Sequence, residues 1–210
     1  MEKPETTFNL EVIKETKKQA MAYAEYRKLV ADHAIRSTST GTTQTEALSE
    51  YTQLNDRRMR RWDKTFKIGE IEFNAISKIK TPQTWLVLTE SWCGDAAPTL
   101  PVMNAIAQLN TNIDFKVVLR DDHPDTMQQF LTNGAMSIPK LVITDVNTET
   151  VLGTWGPRPG PLAQLVAKHK AIHGSIQPEF KEEVQRWYNK DKGQTTLKEL
   201  IELSQNLPLK

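Results

Sequence analysis

Cys93 is the only cysteine in the 210 residues. It sits in the run Glu90-Ser91-Trp92-Cys93-Gly94-Asp95-Ala96-Ala97-Pro98. A lone cysteine forms no intrachain disulfide and no multi-cysteine zinc knuckle, so any disulfide it makes joins a second molecule. Residues 83–89 are a continuous apolar run of strand length, and residues 94–109 carry apolar side chains at helical period. The sulfur therefore falls between a buried strand and the start of a helix. Free N–H groups and the positive dipole end of a helix favour the thiolate, the reactive form of the side chain. Asp95 in the same turn repels it, so the two influences oppose. The position also lies beyond the carboxyl end of a strand, where open α/β folds hold their ligands.

Other residues with chemistry to offer are weaker candidates. His123, in Arg120-Asp121-Asp122-His123-Pro124-Asp125, follows a strand and would activate a thiol if it shared the rim with Cys93. The same run is also an ordinary helix start with proline in the first turn. Arg57-Arg58-Met59-Arg60-Arg61 wraps around a helix rather than forming a stripe, with Asp56 and Asp63 beside it. His169 and His173 share a helix face at i and i+4 without an evident third ligand. Residues 189–193 place Lys190 and Lys192 where a calcium loop needs oxygen donors. No metal set is expected.

The elements that must position the thiol follow from periodicity. Helices are predicted at 8–36, 46–66 and 70–79, the first ending at a polar 37–43 tract with no packing side chain. Strands at 83–89 and 112–119 alternate with helices at 94–109 and 125–132. Strands at 140–144 and 151–155 form a hairpin, and a helix at 160–172 closes the set. A helical pair follows at 179–191 and 195–205. The order β-α-β-α-β-β-α implies an α/β fold with a central mixed sheet: parallel pairing through helical crossovers, plus one antiparallel hairpin. The expected division is a helical extension at 1–79, a core domain at 80–172 and a C-terminal helical extension at 173–210.

Charge narrows the partners. With 27 basic and 26 acidic residues the net charge is +1, which gives no footprint for nucleic acid or an anionic membrane. The amino-terminal residues contain no secretory h-region, and no apolar run approaches membrane-spanning length. A reducing cytoplasm is the expected home of a single-cysteine chain.

The motif resembles the Trp-Cys-Gly-Pro-Cys site of the thioredoxin superfamily, with its second half changed. Pro101, eight residues after Cys93, matches the proline that kinks the active-site helix. Ser137-Ile138-Pro139 before Lys140-Leu141-Val142-Ile143 resembles the cis-proline loop, and Gly156 the glycine that lets a substrate backbone approach. The resemblance covers about residues 83–172 and is greatest to a bacterial group with Trp-Cys-Gly-Asp and a helical N-terminal extension. It implies a thioredoxin fold, no cofactor, Cys93 as nucleophile, and Trp92, Gly94, Asp95, Ile138, Pro139 and Gly156 around the substrate.

Two departures decide the chemistry it implies. Ala96 stands where the resolving cysteine would be, and Val87 where a buried carboxylate relays protons. Dithiol reduction is excluded. What survives is monothiol exchange with client proteins that bear disulfides or thiol adducts, resolved by a small-molecule thiol. Glu90 stands where peroxiredoxins carry Thr or Ser, which argues against a peroxidase. The same residues fit a redox-inactive binding module that keeps the groove without the catalysis. Either reading requires Pro139 beside the sulfur, and exchange requires a solvent-reachable thiol. The added helices have apolar faces that either cover the sheet edge or meet a partner, a homodimer included.

Overall fold

The computed structural model describes residues 8–207; the outermost parts of the two flanking segments, 1–7 and 208–210, lie outside the described residues. In chain order the elements are α1 (Leu10–Lys18), β1 (Met21–Ala22), α2 (Tyr23–Ile35), α3 (Glu46–Thr65), α4 (Glu70–Ile76) and β2 (Gln83–Thr89). They continue with α5 (Ala96–Gln108), β3 (Ile113–Leu119), α6 (Pro124–Gln128), β4 (Lys140–Asp145) and β5 (Val151–Trp155). Three helices close the chain: α7 (Gly160–His173), α8 (Pro178–Asp191) and α9 (Gln194–Gln205).

From β2 to α7 the order is the β-α-β-α-β-β-α read from the sequence, folded as a mixed sheet with helices on both sides. The strands lie in the order β1-β3-β2-β4-β5. β2 runs parallel to β3 from Gln83↔Ile113 to Thr89↔Leu119, with α5 as the crossover, and antiparallel to β4. Its apolar run follows from this place: strands flank it on both edges, and all seven of its residues are buried. Trp85 is fully buried there, its indole N–H satisfied by Gln83 Oε1 at 2.8 Å.

The predicted helix over 8–36 is broken. α1 ends at Lys18, and Met21–Ala22 pair antiparallel with Val117 and Lys116 of β3. An open sheet edge offers unpaired backbone groups, and satisfying them outweighs helical continuity across two residues. Ala22 then starts α2, its N–H donating to Glu25 Oε2 at 2.7 Å. The 37–43 tract, expected to carry no packing side chain, does pack. Ser39 and Thr40 are buried, for a reason that belongs to the site. α6 is shorter than the predicted 125–132 helix, ending at Gln128.

The main core is continuous across all three stretches of chain. Ile13, Tyr26 and Met59 join the sheet residues and Leu197, Leu200 and Leu207 in one cluster. A second cluster of Trp62, Leu162, Val166, Phe180, Val184 and Tyr188 seats α8 against α3 and α7. That packing brings α8 over the end of β2. Among the described residues no helix is long and apolar enough to cross a membrane.

Candidate active site

Beyond the end of β2 the chain turns, with the Cys93 N–H donating to the Glu90 carbonyl at 3.1 Å. The Cys93 thiol donates to the Ile138 carbonyl at 3.3 Å. The Ile138–Pro139 bond is cis, and the carbonyl of that bond is the one that accepts from the thiol. Cys93 lies at the floor of a cleft of about 780 Å³, walled by α3 on one side and α8 on the other. It is only 6% exposed. Burial first, and then the charge of Asp95, push its thiol up to about 12. The Ala96 and Asp95 N–H groups at the start of α5 and the Arg158 guanidinium pull the other way and lose. The opposition left open by the sequence is thus decided by desolvation.

On the amino-terminal side of the sulfur, the loop is held by the 39–41 turn and α3. The Ser91 N–H donates to Thr40 Oγ1 at 2.8 Å, and the Thr40 N–H donates to Ser91 Oγ at 3.0 Å. Thr52 donates to the Leu48 carbonyl, which leaves its oxygen to accept from the Ser91 hydroxyl 2.8 Å away. Asn55 Nδ2 donates to the Ser91 carbonyl at 2.9 Å. The Thr40 hydroxyl donates to Glu90 Oε2, and the Asp121 N–H donates to Glu90 Oε1 at 2.9 Å. Glu90 is fully buried, and burial raises its pKa against those two hydrogen bonds. The Trp92 indole N–H donates to the Thr40 carbonyl at 3.2 Å, and Arg120 lies over its ring at 5.0 Å.

On the carboxyl-terminal side, the contacts come from the β5–α7 turn and α8. Arg158 grips Asp95 with two bonds, Nη2 to Oδ2 at 2.6 Å and Nε to Oδ1 at 3.0 Å. The Tyr188 hydroxyl donates to Asp95 Oδ1 at 3.0 Å, and Gln185 Nε2 donates to the Gly94 carbonyl at 3.1 Å. Burial raises the Asp95 pKa, with Arg158 and Tyr188 opposing.

A family model described as "Thioredoxin" matches residues 41–173, more than half of the chain. The chain belongs to this thioredoxin family. Its fold is shared with a crystal structure of a protein of unknown function from Pseudomonas aeruginosa, at TM-score 0.56 and 16% identity. That alignment covers 71% of this chain and 83% of the other. An HIV epitope-scaffold of the 4E10 type aligns at TM-score 0.56 and 15% identity, over 90% of this chain and 100% of the scaffold. No curated protein matches the chain.

Within this thioredoxin-family site, Trp92, Cys93, Gly94, Asp95 and Ile138 line one cleft. Pro139 and Gly156 meet behind it. Gly156 has φ +114°, and an added Cβ would sit 2.2 Å from the Pro139 carbonyl oxygen, so the chain itself requires this glycine. Pro101 lies inside α5. His123 is elsewhere: its Nδ1 is 3.5 Å from Thr16 Oγ1, in a separate hollow with Glu11 and Glu15. His169 bonds Gln177 Oε1 at 2.7 Å and stacks on Phe180 at 3.7 Å. Among the described residues no cluster of three or more potential metal ligands forms. Arg158, Gln185 and Tyr188 were missed by sequence reasoning. The first had no motif to mark it, and the others lie more than ninety residues from the atoms they bind.

Proposed function

We propose that this thioredoxin-family chain performs monothiol exchange through Cys93, as a cytoplasmic member of the bacterial Trp-Cys-Gly-Asp group. A client–S–S–R adduct, R–S being a small thiol, enters the cleft. The Cys93 thiolate attacks the sulfur of R, forming Cys93–S–S–R as the client's bond to that sulfur breaks; the client leaves as thiolate and takes up the proton that Cys93 gave up. A second R–SH then forms R–S–S–R and returns the proton to Cys93. The client's disulfide sulfur is reduced to the thiol and the one incoming small thiol is oxidised to the disulfide level, so the electrons balance without a second cysteine.

The observation that carries this reading is the sulfur itself: the sole thiol lies on the floor of an open cleft, 3.3 Å from the Ile138 carbonyl. Its test is to treat the full chain with oxidised glutathione at pH 8 and weigh it. One glutathionyl group on native Cys93, removed by reduced glutathione, is the expected result. Modification that occurs only after unfolding overturns exchange.

A second reading has its own support. A thiol pushed up to about 12 in a 6% exposed position is the property of a resting cysteine. It favours a redox-inactive module that uses the cleft for binding alone. That reading predicts an undiminished ligand affinity in Cys93→Ser and no adduct in the mass measurement.

A further inference from the structure

Resting on the exchange reading, we infer that the cleft above Cys93 is a binding site for a small thiol bearing two carboxylates, held between Arg58 of α3 and Lys181 of α8. The charges deeper in the cleft are already matched: Arg158 to Asp95, and Arg120 to Asp121 at 2.7 Å. Arg58 and Lys181 are not. Among the described residues neither has a carboxylate within ion-pair distance. Arg58 is half-buried, and its one hydrogen bond goes to Asn55 Oδ1 at 3.4 Å. Burial, Arg57 and Arg61 all disfavour its charge, with only Tyr51 relieving it. A guanidinium does not shed its proton to escape such a place, so an incoming anion relieves the deficit. Lys181 Nζ has only Tyr51, 3.2 Å from its hydroxyl and 5.2 Å above its ring. Lys170 adds a third cation, while Glu50 and Glu182 lie exposed among the lining residues and oppose it.

Two cations without a carboxylate, each beside Tyr51 on the lining of one cleft, call for two anionic groups on one ligand, and the thiol in the same cleft calls for sulfur on that ligand. The cleft's volume of about 780 Å³ suits a tripeptide-sized molecule. A slender thiol reaches a 6% exposed sulfur between α3 and α8. α8, which carries Lys181, lies beyond the 41–173 stretch matched by the family model.

The test uses S-methylglutathione, a dicarboxylate whose blocked sulfur forms no disulfide, and follows heat of binding and the tryptophan fluorescence of the full chain, to which Trp92 in the cleft contributes. Arg58→Gln and Lys181→Gln should each weaken binding about tenfold and the double variant about a hundredfold, with added salt weakening the wild type. S-methylcysteamine, which has no carboxylate, should not bind. Unaltered affinity in both variants, or no binding to the wild type, overturns the site. Equal competition by inorganic phosphate overturns the dicarboxylate assignment. Tight binding of S-methylglutathione without any glutathionylation of Cys93 leaves the site standing and removes exchange. Glutathionylation at one rate in wild type and double variant removes the site and leaves exchange.

Discussion

The two flanks of Cys93 are held by different physics. On one side Ser91 and Trp92 are tied down by hydroxyls, an amide and backbone groups from the 39–41 turn and α3, with Glu90 as the single buried charge. On the other side Gly94 and Asp95 are held from the β5–α7 turn and α8, through an ion pair facing the cleft. A fully satisfied hydrogen-bond network fixes a loop in one geometry, because every alternative orphans a buried donor. A charge beside a thiol sets how readily that thiol ionises. The difference teaches that both flanks hold the loop, while the carboxyl-terminal flank alone also sets the reactivity of the thiol.

The sharpest way to break that comparison is to count thiolate. Native Cys93 should alkylate roughly a thousandfold more slowly at pH 7 than an ordinary cysteine, its rate climbing tenfold per pH unit without a plateau below pH 10. Asp95→Asn removes the repelling charge and leaves the Arg158 guanidinium to favour the thiolate. The rate should rise at least tenfold, while stability falls by about 3 kcal/mol for the broken buried pair. Ser91→Ala should leave alkylation within about threefold. Equal acceleration by both variants would show that burial by the loop, and not the Asp95 charge, is what the flanks control.

Glu90→Ala should have the largest effect on the other flank, about 3 kcal/mol in urea denaturation, because the Thr40 hydroxyl and Asp121 N–H both lose their acceptor. Glu90→Gln keeps an acceptor for Asp121 and should cost about 1 kcal/mol. The pH dependence has a definite sign. Burial raises the folded-state pKa of Glu90, so between the unfolded and folded values the native state binds the extra proton. This contribution to stability is fully present below the unfolded value and is lost as pH rises through the folded one. Glu90→Gln should flatten that stretch of the stability–pH curve. Ser91→Ala should cost about 2 kcal/mol by orphaning the Thr40 N–H, with no change in pH slope.

What could be read in advance divides along the same line. The strand-end cysteine, the proline loop before β4 and the β-α-β-α-β-β-α order of elements were legible because each is local: an apolar run, a helical period, a motif. Thr40, Thr52 and Asn55 were not, because a buried hydroxyl network has the composition of a surface loop. The Ser37-to-Thr43 stretch looked like solvent-exposed punctuation for that reason, and only the fold brings it to Ser91, fifty-one residues from Thr40. The break at Met21–Ala22 was hidden likewise: helical period continues through it, while the sheet edge that claims it is about ninety-five residues away. Arg158 and Tyr188 are ordinary residues of a turn and a helix until α8 is seated by its own cluster.

Tyr188→Phe gives the finest discrimination on the reactive flank. The variant keeps the ring, which is buried in the Phe180–Val184 cluster, and removes only the hydroxyl that donates to Asp95 Oδ1. Asp95 retains both bonds from Arg158, so its charge stays beside the sulfur. Stability should drop by about 1.5 kcal/mol, the low end for one hydrogen bond to a charged acceptor, because Asp95 is still satisfied by Arg158. Alkylation of Cys93 should change by less than about threefold, since the repelling charge and the burial are both intact. A tenfold acceleration would mean that the α8 hydroxyl, by seating the helix, is itself what withholds the thiol. The carboxyl-terminal flank would then act as a cover rather than as a charge, and the contrast with the Ser91 side would reduce to two kinds of burial.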